Sequence, residues 1–435
     1  MTIAARPKAA ESLNGDGQLA TAVASSRETT TLDEARATFR RWLFLPDSGA
    51  LDVVLGTVAA NRLEGDPVWT LLVGPPGGGK SELLNAISGL DDAHPAGTLT
   101  EASLLSGTPK KEHDPAAKGG LLRLIGGHGI IVCKDFGSVL SMNRDARAGV
   151  LAALREVYDG AWTRHVGTDG GKTLSWTGKV GLVGGCTPTI DRHHAVMGAM
   201  GERFTLYRLP EVDADLQARE ALRHAGREKT MRADLAEAAR SVLAGAREPQ
   251  ERTDRETDRL IALATFVVRA RSAVERDGYS RDIELVPGAE APTRLVIVLA
   301  RLLEGLDAIG CARPEALVVV TKAALDSIPA LRRAVLSTLA GEQDAADTNS
   351  IAEAVRHPAQ TSRRALEDLV AHGLVECKRQ GEGKAHLWTL SAFARERMET
   401  FPETSEHIKG AAESLYISRY AHSTTFRESP QEQEA

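Results

Sequence analysis

Apolar positions change period several times along the chain, and each change marks an element. Leu32, Ala35, Phe39 and Trp42-Leu43 recur at helical spacing, Leu51 to Asn61 predicts a second helix, and Pro46-Asp47-Ser48-Gly49 breaks the two. The turn Gly65-Asp66-Pro67 feeds an unbroken apolar run from Trp69, the pattern of a strand buried on both faces. Similar runs recur at Gly129 to Asp135, Lys179 to Gly185 and Gly201 to Pro210, and an edge strand is expected over Gly97 to Leu105. Helices are predicted from Glu82 to Leu90 and from Asp145 to Tyr158, and strands alternating with helices imply an α/β fold with a parallel sheet. Trp162 to Val166 and Lys172 to Trp176 alternate with period two around Gly167 to Gly171. They predict a β-hairpin in which Trp162 and Trp176 face one another.

After Asp213 the helical period returns, in Leu222 to Leu243 and Thr257 to Asp277, with a break near Arg247-Glu248-Pro249. Another helix opens at Ala291-Pro292-Thr293-Arg294. From Pro329 the pattern reads helix to Leu339, helix from Asn349 to Arg356, the turn His357 to Gln360, and helix from Thr361 to His372. A hairpin of Leu374 to Arg379 and Lys384 to Leu390 follows. The expected division is a disordered tail over 1–30, a helical segment over 31–64, a core over 65–210, a helical lid over 211–325, a compact module over 326–395 and a polar tail over 396–435. A charged loop is expected over Thr108 to Lys118.

Composition narrows the class. With 435 residues, 42% hydrophobic and 26% charged, the chain suits two or three globular domains. A net charge of −6 advertises no global attraction to nucleic acid, so any such contact must come from a local patch. Cys133, Cys186, Cys311 and Cys377 form no C-x-x-C pair, which argues against a zinc knuckle or a disulfide framework. No apolar run reaches transmembrane length, so a cytoplasmic protein without a membrane partner is expected.

The chemistry centres on Gly74-Pro75-Pro76-Gly77-Gly78-Gly79-Lys80-Ser81, which fits G-x-x-x-x-G-K-[ST] with a strand before it and a helix after. Residues lacking Cβ let backbone N–H groups turn inward around a phosphate, and the helix that follows adds its positive dipole end. Lys80 is expected to reach the β- and γ-phosphates of ATP and Ser81 to hold Mg²⁺, with Glu82 completing the nucleotide cradle. Asp135, at the end of an apolar strand, is the expected second acid of the metal site. Asp135-Phe136-Gly137 also reads as D-F-G, but no H-R-D-x-x-x-x-N precedes it. Gly171-Lys172-Thr173 mimics a second phosphate loop, yet its first required glycine would fall at Val166. The position after Asp135, where ATPases of this type commonly carry a water-polarising Glu, is Phe136. Glu156 is a candidate base, against the alternative of a solvated helix-face carboxylate.

Five strands, with the loop after the first, Asp135 on the third, Thr187 on the fourth, Arg203 at the fifth and a hairpin before the fourth, resemble the AAA+ ATPase core. The hairpin is similar to the pre-sensor hairpin of the branch containing MCM-type helicases, magnesium chelatases and MoxR-type remodellers. The resemblance implies that Thr187 is sensor 1, that Arg203 is an arginine finger serving a neighbouring subunit of a homo-oligomer, and that Arg294 is a lid sensor for nucleotide. Helix, turn, helix and wing in the C-terminal part resemble a winged helix-turn-helix domain. There Thr361 and Arg364 would meet DNA base edges, Arg363 would also contact DNA, and Lys378, Arg379 and Lys384 would meet phosphate. Thr348 to Leu390 holds six basic and five acidic side chains, so such a face must be local, and Glu367 and Asp368 lie close to it. In a motor, Lys172 on the hairpin would also touch DNA. The expected function is MgATP hydrolysis acting on DNA, in replication or mobile-element maintenance. A remodeller of a protein client and a nucleotide-gated transcription regulator with little turnover would use the same parts.

Overall fold

The structure, a computed structural model, describes residues 30–107, 119–167, 170–198, 202–342, 344–381 and 385–401. Most of both expected tails, the loop 108–118 and Lys384 lie outside the described residues. Helix α1 (Leu32–Trp42) starts in a capping box, with Thr31 and Glu34 satisfying each other's backbone N–H, and α2 (Gly49–Arg62) is buried on nearly every side. The core then runs β1 (Trp69–Val73), α3 (Lys80–Ile87), β2 (Ala93–Ala96), α4 (Glu101–Leu104), α5 (Leu121–Ile125), β3 (His128–Cys133), α6 (Gly137–Leu140) and α7 (Arg144–Tyr158). It continues with β4 (Ala161–Val166), β5 (Lys172–Thr177), β6 (Lys179–Cys186), a 3-10 turn over Pro188–His193, α8 (His194–Gly198) and β7 (Phe204–Arg208).

Five of these strands form a parallel sheet in the order β2-β3-β6-β1-β7. Because strand side chains alternate between faces, Leu71, Val73, Ile131 and Cys133 enter the core on one side, and Leu72, Ile130 and Val132 enter the other. The edge strand falls earlier than expected, at Ala93–Ala96. Thr100 and Ser103 cap one another reciprocally and turn Glu101–Leu104 into helix. The hairpin β4–β5 has the expected register, Trp162 opposite Trp176.

The expected N-terminal segment is not separate. Helix α2 lies against the sheet, Thr57 Oγ1 within 2.9 Å of Thr70 Oγ1, and Asn61 makes hydrogen bonds to both backbone groups of Val68.

The helical part comprises α9 (Ala214–His224), α10 (Glu228–Ala244), α11 (Asp254–Arg271), the hairpin β8 (Glu275–Arg276) and β9 (Ile283–Leu285), α12 (Thr293–Ala308) and α13 (Arg313–Asp326). The helix expected over Leu222 to Leu243 is thus divided at Ala225-Gly226-Arg227, and that over Thr257 to Asp277 ends at Arg271. Last come α14 (Ala330–Gly341), β10 (Ala346–Asp347), α15 (Thr348–Ala354), α16 (Ala359–Ala371), β11 (Val375–Arg379), β12 (His386–Leu390) and α17 (Ala392–Glu399), with the strands in the order β10-β12-β11. No break in the core marks the expected boundary near residue 326. One apolar cluster runs from α1 through α11 to Leu366, Trp388 and Phe401, and the rings of Phe266 and Phe401 meet edge-on at 5.7 Å.

None of the described helices is long and apolar enough to cross a membrane.

Candidate nucleotide site

The loop from Gly74 to Ser81 leaves β1 at the C-terminal edge of the sheet. Gly77 and Gly79 take φ values of 78° and 82°, the left-handed region that a side chain resists. Gly74 N–H donates to Cys186 O at 3.1 Å and Leu209 N–H to Val73 O at 2.8 Å, so the loop's root is pinned between the ends of β6 and β7. Lys80 folds back over the loop, its Nζ donating to the carbonyls of Gly74 and Pro75, both at 2.7 Å. Burial lowers its pKa, and the Cys186 and Asp135 positions oppose that shift. A cation held only by carbonyl oxygens is ready to exchange them for an anion.

Asp135 and Thr187 open onto the same edge. Asp135 is exposed just beyond β3, where Phe136 N–H donates to Gly185 O at 2.7 Å, and Thr187 follows β6 with its hydroxyl 2.6 Å from that of Thr189. Ser81 is exposed at the start of α3. Ser81 and Asp135 carry a hydroxyl and a carboxylate, the kinds of oxygen that suit Mg²⁺, which takes few protein ligands beside phosphate oxygens and water.

Other expected contributors are placed elsewhere. Glu82 binds Arg232 of α10 at 3.1 and 2.8 Å, and these bonds hold its carboxyl below the usual range. Its carboxylate anchors a helix. Arg203 precedes β7 at the opposite, N-terminal edge, since Trp69 and Phe204 are register partners, and a five-residue strand puts roughly 15 Å between the two edges. It is 8% exposed, bonds both oxygens of Asp159 at 3.1 and 2.8 Å, and lies over the Tyr158 ring. Such a side chain is not offered to a neighbour as it stands.

Arg294 pairs with Glu290 at 3.3 Å, close enough to Tyr158 to oppose the rise of that phenol to about 12, which burial drives. Tyr158 packs on Trp69 at the start of β1, so this neighbourhood of Arg294 lies toward the edge of the sheet opposite the loop. Glu156, in the last turn of α7 beside Tyr158, shares that displacement and is half exposed, as the solvated reading has it. Phe136 is fully buried against Phe204, so the position after Asp135 faces the core.

Three contributors carried no sequence signal because their partners are far along the chain. Gln217 Nε2 reaches Gly77 O at 3.2 Å, bringing α9 over the loop. Arg232 ties α10 to α3. Arg208, the last residue of β7, bonds both oxygens of Asp191 at 2.9 and 2.7 Å, and Asp191 also accepts the Ala330 N–H at the start of α14.

Of the expected DNA contacts, Thr361, Arg363, Lys378 and Arg379 are exposed and Arg364 is half-buried. Arg363 bonds Glu367 at 2.9 Å. Lys172 is half-buried across from Val166 on the β4–β5 hairpin.

No protein-family profile matches the chain, and no curated protein matches it. A solved structure titled the A form apo structure of the NrS-1 C-terminal region is similar over 82% of this chain and 75% of that one, at 12% identity and a TM-score of 0.24. A likeness at that level carries no argument.

Proposed function

We propose that this chain is a cytoplasmic AAA+-type P-loop ATPase that binds MgATP at Gly74 to Ser81, assembles with its own kind and acts on DNA through a C-terminal winged helix. The observation that carries this reading is the convergence of three distant segments. The strand order puts β6 between β3 and β1, so Asp135, Thr187 and the glycine loop are neighbours on one sheet edge.

In this reading the loop's N–H groups bind the β-phosphate, and Lys80 trades the carbonyls of Gly74 and Pro75 for phosphate oxygens. The Thr187 hydroxyl, at the end of β6 beside the loop, is read as the group that senses the γ-phosphate. Mg²⁺ held by Ser81 and Asp135 would neutralise charge on the β- and γ-oxygens. Arg203 could serve a neighbouring site only after leaving Asp159, so an isolated chain is expected to turn over slowly. The order helix, strand, helix, helix, strand, strand after Pro329 supports the winged-helix reading, and exposed Lys378 and Arg379 support phosphate contacts.

One observation favours a second reading, a nucleotide-gated binding module with little turnover: Phe136 is buried where a catalytic carboxylate would be expected. Steady-state ATP hydrolysis measured against protein concentration, with and without single- and double-stranded DNA and with Lys80→Ala as the blank, tests both. Turnover that rises with concentration and again with DNA is expected. Tight ATP binding with turnover no higher than the blank leaves the gated module, and no ATP binding refutes the site.

A further inference from the structure

The buried residues of α16, namely Ser362, Ala365, Leu366 and Leu369, all lie on one side. At about 100° per residue the opposite side is centred on Gln360, Arg364, Glu367 and Ala371, with Arg363 and Asp368 flanking it. A helix that reads a DNA groove must present this side, and here its middle is crossed by another segment, while Gln360 in the first turn stays exposed. Arg276, at the end of β8, donates to Asp368 Oδ1 at 2.6 Å, to Glu367 Oε2 at 3.2 Å and to the carbonyl of Arg364 at 3.0 Å. It also bonds Arg281 O across its own hairpin at 2.8 Å, and its side chain is 10% exposed.

We propose that the β8–β9 hairpin is an internal competitor for the base-reading side of α16, so that the Arg276 clasp and duplex DNA exclude one another. The proposal rests on the reading of the C-terminal module as DNA-binding. A major groove about 12 Å wide admits a helix but not a helix with a hairpin fastened across its middle. The hairpin can leave without a large loss of apolar burial, because all three residues of β9 are exposed and Tyr279 at the turn is 99% exposed. Charge-assisted bonds from one fork therefore do most of the holding. Release does not leave two bare carboxylates facing DNA. Asp368 keeps Arg332 at 2.9 Å and Glu367 keeps Arg363 at 2.9 Å.

The rival is a purely structural clasp, with DNA touching only the wing and the first turn of α16. The two differ in sign. Arg276→Gln removes a cation, which by itself weakens binding to a polyanion. If the hairpin competes, the same change raises the fraction of protein with α16 open and tightens binding, by about tenfold. Arg276→Lys, which keeps the charge but loses the fork, should tighten binding as well.

The test is fluorescence anisotropy of the full chain on a labelled mixed-sequence duplex, for the parent and both variants, alongside hydrogen exchange of residues 275–285 with and without DNA. Circular dichroism and ATP turnover equal to the parent's confirm that the variants are folded. Tighter binding by both variants, with the parent's hairpin losing protection when DNA binds, is the expected result. Binding that is equal or weaker in the variants, with hairpin protection unchanged by bound DNA, overturns the competitor and leaves the DNA reading standing. Failure of all three proteins to bind the duplex while still hydrolysing ATP overturns the DNA reading and the competitor with it.

Discussion

Gly305→Ala sets two physical effects against each other. Ala is a better helix former than Gly by about 1 kcal/mol, so on an exposed helix the change would stabilise. In α12 a Cβ at position 305 would lie 2.1 Å from Gly56 O and 2.7 Å from both the N and the Cβ of Ala60, all on α2. Ordinary contact begins near 3.4 Å, so the two helices would have to part by roughly 1 Å. A gap of that size forfeits about a quarter to a half of the dispersion attraction along the seam.

Overpacking against backbone, which has no rotamer to turn, belongs at the upper end of the range of about 1–3 kcal/mol. After subtracting the helix gain, the change should destabilise by about 2 kcal/mol. The urea midpoint followed by tryptophan fluorescence should fall. Because α2 also backs β1 and β6, whose ends bear the glycine loop and Thr187, KM for ATP should rise with it. Stability equal to or above that of the parent would refute the close-packed seam, since propensity would then have won.

Other consequences are separately measurable. Asp326 is fully buried. Burial pushes its pKa up, but Lys322 and Arg333 outweigh that and hold it below the usual carboxylate range. A depressed carboxyl contributes stability that is present above its unfolded pKa of about 3.9 and is lost as pH falls through the lower folded value. Asp326→Asn should therefore cost about 3 kcal/mol at neutral pH, with the gap from the parent closing in urea titrations below about pH 4. Phe136→Glu should not restore a catalytic base. It should destabilise by about 3 kcal/mol or more with no gain in kcat, whereas a rise in turnover would mean that the position reaches the nucleotide. Arg379→Ala should weaken duplex binding alike for all sequences and reduce the salt slope by about 1, which anisotropy at several salt concentrations would read.

Much of the architecture is local in origin and so was legible in the chain. Apolar runs and helical periods depend on neighbours a few residues apart, and they located the central strands, the Trp162–Trp176 hairpin and the order of elements after Pro329. The glycine loop belongs to the same class, because its conformation is dictated by Gly77 and Gly79 themselves. Errors arose where a local hydrogen bond or turn competed with periodicity, as at the Thr100–Ser103 cap and the turn at Ala225 to Arg227.

Roles of single charged side chains were not legible, because an arginine's partner is set by packing and can lie a hundred residues away. Arg203 is claimed by Asp159, Glu82 by Arg232, and the acids of α16 by Arg276 and Arg332. From the amino-acid order alone came the central strands and the glycine loop, and with them that Asp135 and Thr187 follow strands whose ends emerge on one edge of a parallel sheet. Only the tertiary structure decided which cations are free to act, because burial and ion pairing are properties of the packed whole.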